Sequence, residues 1–188
     1  CTMMETEQHN PHHIYTVGEH TIRSMQYIRA DKVLRLTMLL HDVAKPVCRT
    51  EDENGIHHFH GHPQVGAEMS RKILRRLKFD NDTIHRVMAL VRAHDDRPPL
   101  QGRSVRRAIY RNGTEQYPEL FEVKRADILA QSSFLQQEKL LYVNRYEHMY
   151  QQIMEKEQCL SLKELAVNGS DLIARGIQPG KEIGEILH

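Results

Sequence analysis

Residues 39–46 have the sequence Leu-Leu-His-Asp-Val-Ala-Lys-Pro and constrain this chain more than any other stretch. The apolar residues before them recur at helical spacing and Asp31 is a favourable N-cap, which predicts a helix running into this stretch. Pro46 cannot continue a regular helix, so His41 and Asp42 should lie at its end. Neighbouring residues point about 100° apart on a helix, and only such a loosened end lets both side chains reach one point. The pair suits a divalent cation; the alternative is a surface His-Asp pair.

The composition is that of a soluble, globular chain. Its 188 residues are enough for one domain with a substantial core, and 39% are apolar while 27% are charged. A net charge of +1 argues against nucleic-acid binding driven by bulk charge, although a local basic face is compatible with it. Thirteen histidines are many for this length and prompt a search for metal ligands.

Cysteine usage and hydropathy predict a cytoplasmic protein. Cys1, Cys48 and Cys159 form no Cys-x-x-Cys pair, which favours a reducing compartment. No apolar run approaches the roughly 20 residues of a membrane span, and nothing near the start has the pattern of a signal peptide. The first residue is Cys rather than Met, which is compatible with a piece cut from a longer protein.

Helical periodicity predicts an all-α fold. The expected helices begin or end at capping residues, prolines and glycines, and they cover residues 14–29, 31–45, 61–78, 80–94, 104–112, 118–131 and 137–158. Residues 48–60 are expected to form a loop, and a capping box at Ser161 to Glu164 begins two short helical pieces. The predicted organisation is a main domain over residues 1–160 with a short helical tail over residues 161–188.

Three polar residues fall on or beside predicted inward faces. Asp127 shares a face with apolar residues, and a buried carboxylate needs a partner, which is either a metal or a Lys or Arg. His94 continues an apolar stripe at a helix end, where the last carbonyl groups could also satisfy it. His20 lies beside the stripe of the first long helix, a position that also suits an ordinary boundary residue.

In chain order these residues form the pattern His20, His41-Asp42, Asp127, and here the sequence resembles the HD superfamily of metal-dependent phosphohydrolases. Further segments look like the HD region that follows the catalytic head in bacterial tRNA nucleotidyltransferases and poly(A)-polymerase-like proteins. They are His-Asn-Pro-His-His-Ile-Tyr (9–15), Glu-His-Thr (19–21), Phe-His-Gly-His-Pro (59–63), Leu-Val-Arg-Ala-His-Asp (90–95), Arg-Ala-Asp (125–127) and Leu-Ala-Val-Asn-Gly-Ser-Asp-Leu (165–172). The resemblance implies a helical HD bundle with a metal site in its core.

The resemblance also implies a ligand set. His20, His41, Asp42 and Asp127 would bind a first metal, and Asp42 would bridge to a second. The second ion would take two further ligands, His62 and His94. Such mixed ligands admit one or two divalent ions among Mn, Fe, Co, Ni and Zn, with Mg also compatible.

Basic residues are candidates for substrate binding. In HD relatives the lysine at the position of Lys45 meets a phosphate oxygen, although a Lys at a helix end is also favoured by the helix dipole. Arg103, Arg106 and Arg107 could grip a nucleotide or an RNA end, or they could form plain surface. His58 and His60 could line the mouth of the site.

The resulting hypothesis is a metal-dependent phosphohydrolase acting on a phosphomonoester or 2′,3′-cyclic phosphodiester of a nucleotide or RNA 3′-end. Two metal ions can hold a phosphoryl group and lower the pKa of a bound water. The alternative is an HD module of a tRNA nucleotidyltransferase-like protein that holds RNA, or is structural, with a non-catalytic metal. Hydrolysis of a signalling nucleotide is a third option, disfavoured for cyclic dinucleotides because a Gly-Tyr-Pro signature is absent. No nucleotidyltransferase head motif is present, no membrane partner is expected, and the oligomeric state is left open.

Overall fold

The computed structural model describes residues 2–8, 14–158, 172–173 and 176. Within these ranges the protein is helical apart from one two-stranded hairpin, which confirms the all-α prediction. The capping box predicted at Ser161 to Glu164 lies outside the described residues. The predicted tail also lies outside them, except for residues 172–173 and 176.

The helices follow one another with short connections. In chain order they are α1 Thr2–Glu5, α2 Val17–Ser24, α3 Lys32–Leu40, α4 Lys45–Cys48, α5 His62–Arg76, α6 Asn81–Ala93, α7 Gly102–Asn112, α8 Tyr117–Leu129 and α9 Gln136–Gln158, with a 3-10 turn at Thr114–Gln116. Strands β1 (Thr50–Glu51) and β2 (His57–His58) form an antiparallel hairpin in the stretch that was predicted to be a loop.

The helix predicted over residues 14–29 is shorter, because a capping box sets its start. The Thr16 hydroxyl accepts from the backbone N–H of Glu19, and the Glu19 carboxylate accepts from the backbone N–H of Thr16. Apolar spacing predicts that Ile14 begins the inward stripe of this helix, but Ile14 precedes the helix and is 68% exposed, so this prediction is wrong. Val17 and His20, by contrast, are fully buried.

Helix α5 buries a face of small residues. Apolar spacing predicts an inward stripe through Val65 and Leu77, but both are exposed. Gly66, with Ala67 and Ser70, faces the core instead. This face packs against α6 and the C-terminal end of α3, since a Cβ on Gly66 would be in ordinary contact with the His41 carbonyl oxygen at 3.6 Å and with Val91 Cγ1 at 3.4 Å.

Another boundary differs from prediction at α7. This helix begins at Gly102 with Gln101 as its N-cap, one turn or less before the predicted cap at Ser104. Helix α8 begins at Tyr117 and carries Pro118 in its first turn, as helix starts often do.

Aromatic packing joins α8 to α9. The Tyr117, Phe121 and Tyr146 side chains are fully buried, and their ring centroids lie 5.3 to 5.8 Å apart. Tyr150 stacks on Tyr117 at 5.1 Å. Such pairs contribute beyond simple area burial, by about 0.5–1.5 kcal/mol each. This cluster fixes the helix that carries Asp127.

Asp31→Ala should lower the free energy of unfolding by about 1 kcal/mol, because it removes the cap at the start of α3. The Asp31 carboxylate accepts from the backbone N–H of Leu34 at 3.0 Å. Urea denaturation followed by circular dichroism measures the effect. Arg35→Ala, at an exposed position of the same helix, is the control, and an equal loss in both variants would contradict the capping role.

Candidate metal centre

The His41-Asp42 pair lies where the sequence places it, at the C-terminal end of α3. His41 is the C-cap residue, and the chain leaves the helix through tight turns in which the N–H of Val43 donates to Leu40 and that of Lys45 to Asp42. Because the helix loosens here, both side chains turn inward. His41 is fully buried and Asp42 is 1% exposed.

Four further helices bring one side chain each to this pair. His20 comes from α2, Asp127 from α8 and His62 from the first turn of α5, while His94 is the C-cap residue of α6. All four are buried. The structure thus brings together all the residues for which metal ligation was predicted.

His20, His41 and Asp42 form a first group, with one ligand atom of each lying within 4.8 Å of the others. The two Nε2 atoms are 3.3 Å apart, and Asp42 Oδ2 lies 3.3 Å from His41 Nε2 and 3.7 Å from His20 Nε2. Asp127 Oδ1 adjoins the group at 2.8 Å from His20 Nε2 and 3.7 Å from His41 Nε2.

Asp42, His62 and His94 form a second group, in which one ligand atom of each residue again lies within 4.8 Å of the others. The Nε2 atoms of His62 and His94 are 3.3 Å apart, and Asp42 Oδ1 lies 3.4 Å from the first and 3.8 Å from the second. Asp42 therefore turns one carboxylate oxygen towards each group, as a bridging ligand would.

Backbone carbonyl groups fix the orientation of all four imidazoles. A carbonyl can only accept, so each Nδ1 must carry a hydrogen and each Nε2 faces the centre. The acceptors are the carbonyl oxygens of Met38 for His41 (2.7 Å), Phe59 for His62 (2.8 Å), Val91 for His94 (2.6 Å) and Ala130 for His20 (3.4 Å). Such outer partners are typical of metal-binding histidines.

The donor set fits divalent cations. In the neutral rings the Nε2 lone pairs of each histidine pair face one another, so a proton or a metal ion has to lie between them. Among the described residues, Asp42 Oδ2 is also the buried side-chain atom for which no hydrogen bond is found, although Lys45 Nζ lies 2.8 Å away as an ion pair. Mixed imidazole and carboxylate ligands suit Mn, Fe, Co, Ni or Zn.

Electrostatics at the first group favour positive charge. Burial opposes charging of His41, but Asp42 and Asp127 outweigh it and raise the pKa of His41 to about 10. Burial would raise the pKa of Asp42, yet the charges of His41 and Lys45 hold it well below its usual range. Burial lowers the pKa of His94 and favours its neutral, ligating form.

A cavity of about 480 Å³ is lined by Asp42, His62 and His94 of the second group and by Asp127, while His20 and His41 lie behind this surface. Lys45 also lines the cavity, and its Nζ is held between Asp42 Oδ2 and Gln8 Oε1, the latter at 2.7 Å. His57, His58 and His60 line the mouth without joining either group. Three arginines of α7 are exposed: Arg103, Arg106 and Arg107. They line neither this cavity nor a second, smaller cavity beside α8 and α9, so their role in substrate binding stays a prediction.

Sequence reasoning missed three supporting residues. Gln131 Nε2 donates to Asp127 Oδ2 at 3.0 Å, and its spacing of four residues from Asp127 was a usable signal. Lys124 Nζ donates to the carbonyl oxygens of Ala93, His94 and Asp96, and so caps α6 where His94 stands. Gln8 is the third, since it accepts a hydrogen bond from Lys45. Nothing in the sequence indicated the contacts of Lys124 or of Gln8.

Comparison with known proteins places the chain in a family. A model of the tRNA nucleotidyltransferase domain 2 family matches residues 50–188, which is most of the chain. The chain belongs to this family. The match includes His62, His94 and Asp127 and begins after His41.

Two curated relatives align over 94% of this chain, and so extend the likeness to nearly all of it. One is the CC-adding tRNA nucleotidyltransferase of Thermus thermophilus, 33% identical over 182 residues. The other is the A-adding tRNA nucleotidyltransferase of Deinococcus radiodurans, 32% identical over 185 residues. This tRNA nucleotidyltransferase domain 2 chain covers 40% and 42% of these relatives' lengths. In the described residues no helix has the length and apolar character needed to cross a bilayer.

Metal loading should distinguish the two groups. We expect the purified chain, produced without a His-tag, to bind two divalent ions, His94→Ala to bind one, and Asp42→Ala to bind none tightly, because only Asp42 serves both groups. Elemental analysis after gel filtration measures the count. His85→Ala, at an exposed position of α6, is the control. A count for His94→Ala equal to that control would contradict the second group.

Stability of the chelator-treated protein should fall as pH rises from 6.5 to about 10. The pKa of His41 is about 10 in the fold and about 6.5 in an unfolded chain. The folded state then binds more protons in this window, and its advantage, complete below pH 6.5, is lost through pH 10.

Urea denaturation at several pH values measures this slope. His41→Gln should lack it and the exposed-site variant His85→Gln should keep it. A slope unchanged in His41→Gln would show that another group is responsible.

Proposed function

We propose that this chain is the metal-binding helical module of a tRNA nucleotidyltransferase-like protein. We further propose that it hydrolyses a phosphomonoester or 2′,3′-cyclic phosphodiester of a nucleotide or RNA 3′-end. The names of the two relatives, which are tRNA-processing transferases, support the first part. The observation that carries the second is the pair of buried groups sharing Asp42 beside an open cavity.

Two divalent ions at these groups would supply Lewis acidity and a bound water of lowered pKa at phosphorus. The residues of the chain would do the positioning. Asp42 has an oxygen facing each group, and His20, His41, Asp127, His62 and His94 complete the two sets. Gln131 holds the second oxygen of Asp127 in place. These side chains lie on, or at the ends of, five helices, α2, α3, α5, α6 and α8, which preorganise them as precise catalysis requires.

Lys45 supplies a positive charge in direct contact with the candidate metal ligand Asp42. Its Nζ lies 2.8 Å from Asp42 Oδ2, and the residue is 5% exposed. An ion held by Asp42 would repel this ammonium, which could then meet a phosphate oxygen of the substrate. The mouth histidines, His58 and His60, stack on each other with ring centroids 5.5 Å apart and would contact the rest of the substrate.

The second candidate function is a structural or RNA-holding module with a non-catalytic metal. The observation in its favour is the ion pair between Lys45 and Asp42, in which the Lys45 ammonium also donates to Gln8 Oε1, so that Asp42 has a positive partner without a substrate. The relatives are also named for nucleotide addition rather than hydrolysis. Under this reading metals would bind but no phosphoester would turn over.

Asp42→Asn should lower phosphoester hydrolysis by about a thousandfold, because loss of the bridging carboxylate removes several kcal/mol of transition-state stabilisation. The assay is release of phosphate from nucleoside monophosphates and opening of 2′,3′-cyclic nucleotides with Mn, Co, Ni or Mg. Asp82→Asn, on the exposed side of α6, is the matched control and should keep full activity.

A further variant separates the two candidate functions. Lys45→Met should keep both metal ions and lose turnover if Lys45 meets the phosphate. A wild-type chain that holds two ions and hydrolyses none of these phosphoesters would overturn the hydrolase and leave the structural module.

A further inference from the structure

A second cavity, of about 270 Å³, adjoins the metal cavity on the side of α8 and α9. Its walls include Ile128 from α8, Leu135 just before α9, and Tyr142 and Val143 from α9. Ile128 and Val143 belong to the buried core. This second cavity thus has apolar walls, unlike the histidine-rich cavity beside it.

The two cavities share part of their lining. His94, Arg97, Asp127 and Lys139 line both of them. His94 belongs to the second metal-binding group, and Asp127 adjoins the first. The second cavity therefore lies directly beside the place where a phosphoryl group would be held. A ligand could therefore occupy both cavities at once.

Two cations stand at this boundary. Arg97 is half exposed and pairs with the half-exposed Asp95 at 3.2 Å, a weak surface ion pair that an anionic ligand could replace. Lys139 is partly buried, and its Nζ donates to Gln131 Oε1 at 2.7 Å, while Gln131 in turn donates to Asp127. The boundary therefore offers positive charge next to an apolar chamber.

The walls of the second cavity are held rigidly. The Tyr142 hydroxyl donates to the Pro98 carbonyl oxygen at 2.6 Å, which fixes its ring as a wall. Leu135 has a φ of 53°, a left-handed conformation that costs a non-glycine residue about 1–2 kcal/mol. Strain of this kind is concentrated at ligand sites. It holds the Leu135 side chain at the rim, 42% exposed.

We propose that the second cavity binds the base of a nucleoside phosphate whose phosphoryl group lies at the metal-binding groups, with Arg97 and Lys139 between them. The phosphoryl half of this inference rests on the proposed function. The volume is slightly below the range of about 300–1,000 Å³ usual for drug-sized ligands, so it suits one base rather than several nucleotides. Apolar walls with an aromatic face suit a planar base, and the two cations suit the charge that follows it.

The decisive comparison is Leu135→Asn against Leu141→Asn. Asn tolerates the left-handed backbone of residue 135, so the first variant removes the apolar rim without adding strain. Leu141, 51% exposed on α9 and outside both cavities, makes a matched control. With adenosine 5′-monophosphate, Leu135→Asn should raise KM about tenfold at unchanged kcat, while hydrolysis of glycerol 2-phosphate, which has no base, should not change.

Calorimetric binding of adenosine, which has no phosphate, provides a readout independent of turnover. Binding to the wild type and to Leu141→Asn, weakened about tenfold in Leu135→Asn, would support the base site even if no phosphoester were hydrolysed. If glycerol 2-phosphate and adenosine 5′-monophosphate were both hydrolysed with the same KM in the two variants, the hydrolase would stand and the base site would be overturned. Adenosine binding of equal strength in the two variants would overturn it as well.

Discussion

The interaction on which the centre of this protein depends is the hydrogen bond from each imidazole Nδ1 to a backbone carbonyl. In His41, His62 and His94 the acceptor is the residue three positions earlier. The same short-range geometry therefore aims three rings, and it forces every Nε2 towards Asp42. Nε2 atoms 3.3 Å apart with no hydrogen between them repel, and a buried carboxylate is costly without a positive partner. The cluster consequently requires a cation, either a proton or a metal ion.

The rest of the fold can be understood as support for that requirement. The aromatic cluster of Tyr117, Phe121, Tyr146 and Tyr150 locks α8 against α9 and so places Asp127. Lys124, buried in the same helix, binds the carbonyl groups at the end of α6 and so places His94. Gly66 and Ala67 are buried on the inward face of α5, and this packing holds the helix whose first residue is His62. Each ligand stands on an element held by contacts outside the centre, and such rigidity distinguishes a preorganised site from a chance cluster.

Membership of the tRNA nucleotidyltransferase domain 2 family places this chain beside curated relatives that are named for adding nucleotides to tRNA, while its own buried His and Asp groups could hold metal ions. The two facts are compatible, because the chain spans about two fifths of those relatives and the activity in their names is not assigned to these residues. An RNA-processing protein with a hydrolytic centre beside a base-sized cavity would be able to act on the ends of the molecules it binds. The boundary residues Arg97 and Lys139 are where the metal chemistry and the selection of a nucleoside would meet.

The sequence by itself determined the local facts. Helical periodicity determined the all-α class, and Asp31 and Pro46 determined where the helix bearing His41 begins and loosens. The resemblance to HD proteins selected the six candidate ligands, and these converge in space. The sequence could not determine that α5 would bury Gly66, Ala67 and Ser70, because which face of a helix turns inward depends on how closely the neighbouring helix packs against it. Nor could it reveal Lys124 capping α6 or Lys45 meeting Gln8, since these contacts join residues about 30 positions or more apart. Only the tertiary structure decided which polar groups share the interior, because burial and distance, and not residue type, determine whether a charged side chain needs a partner.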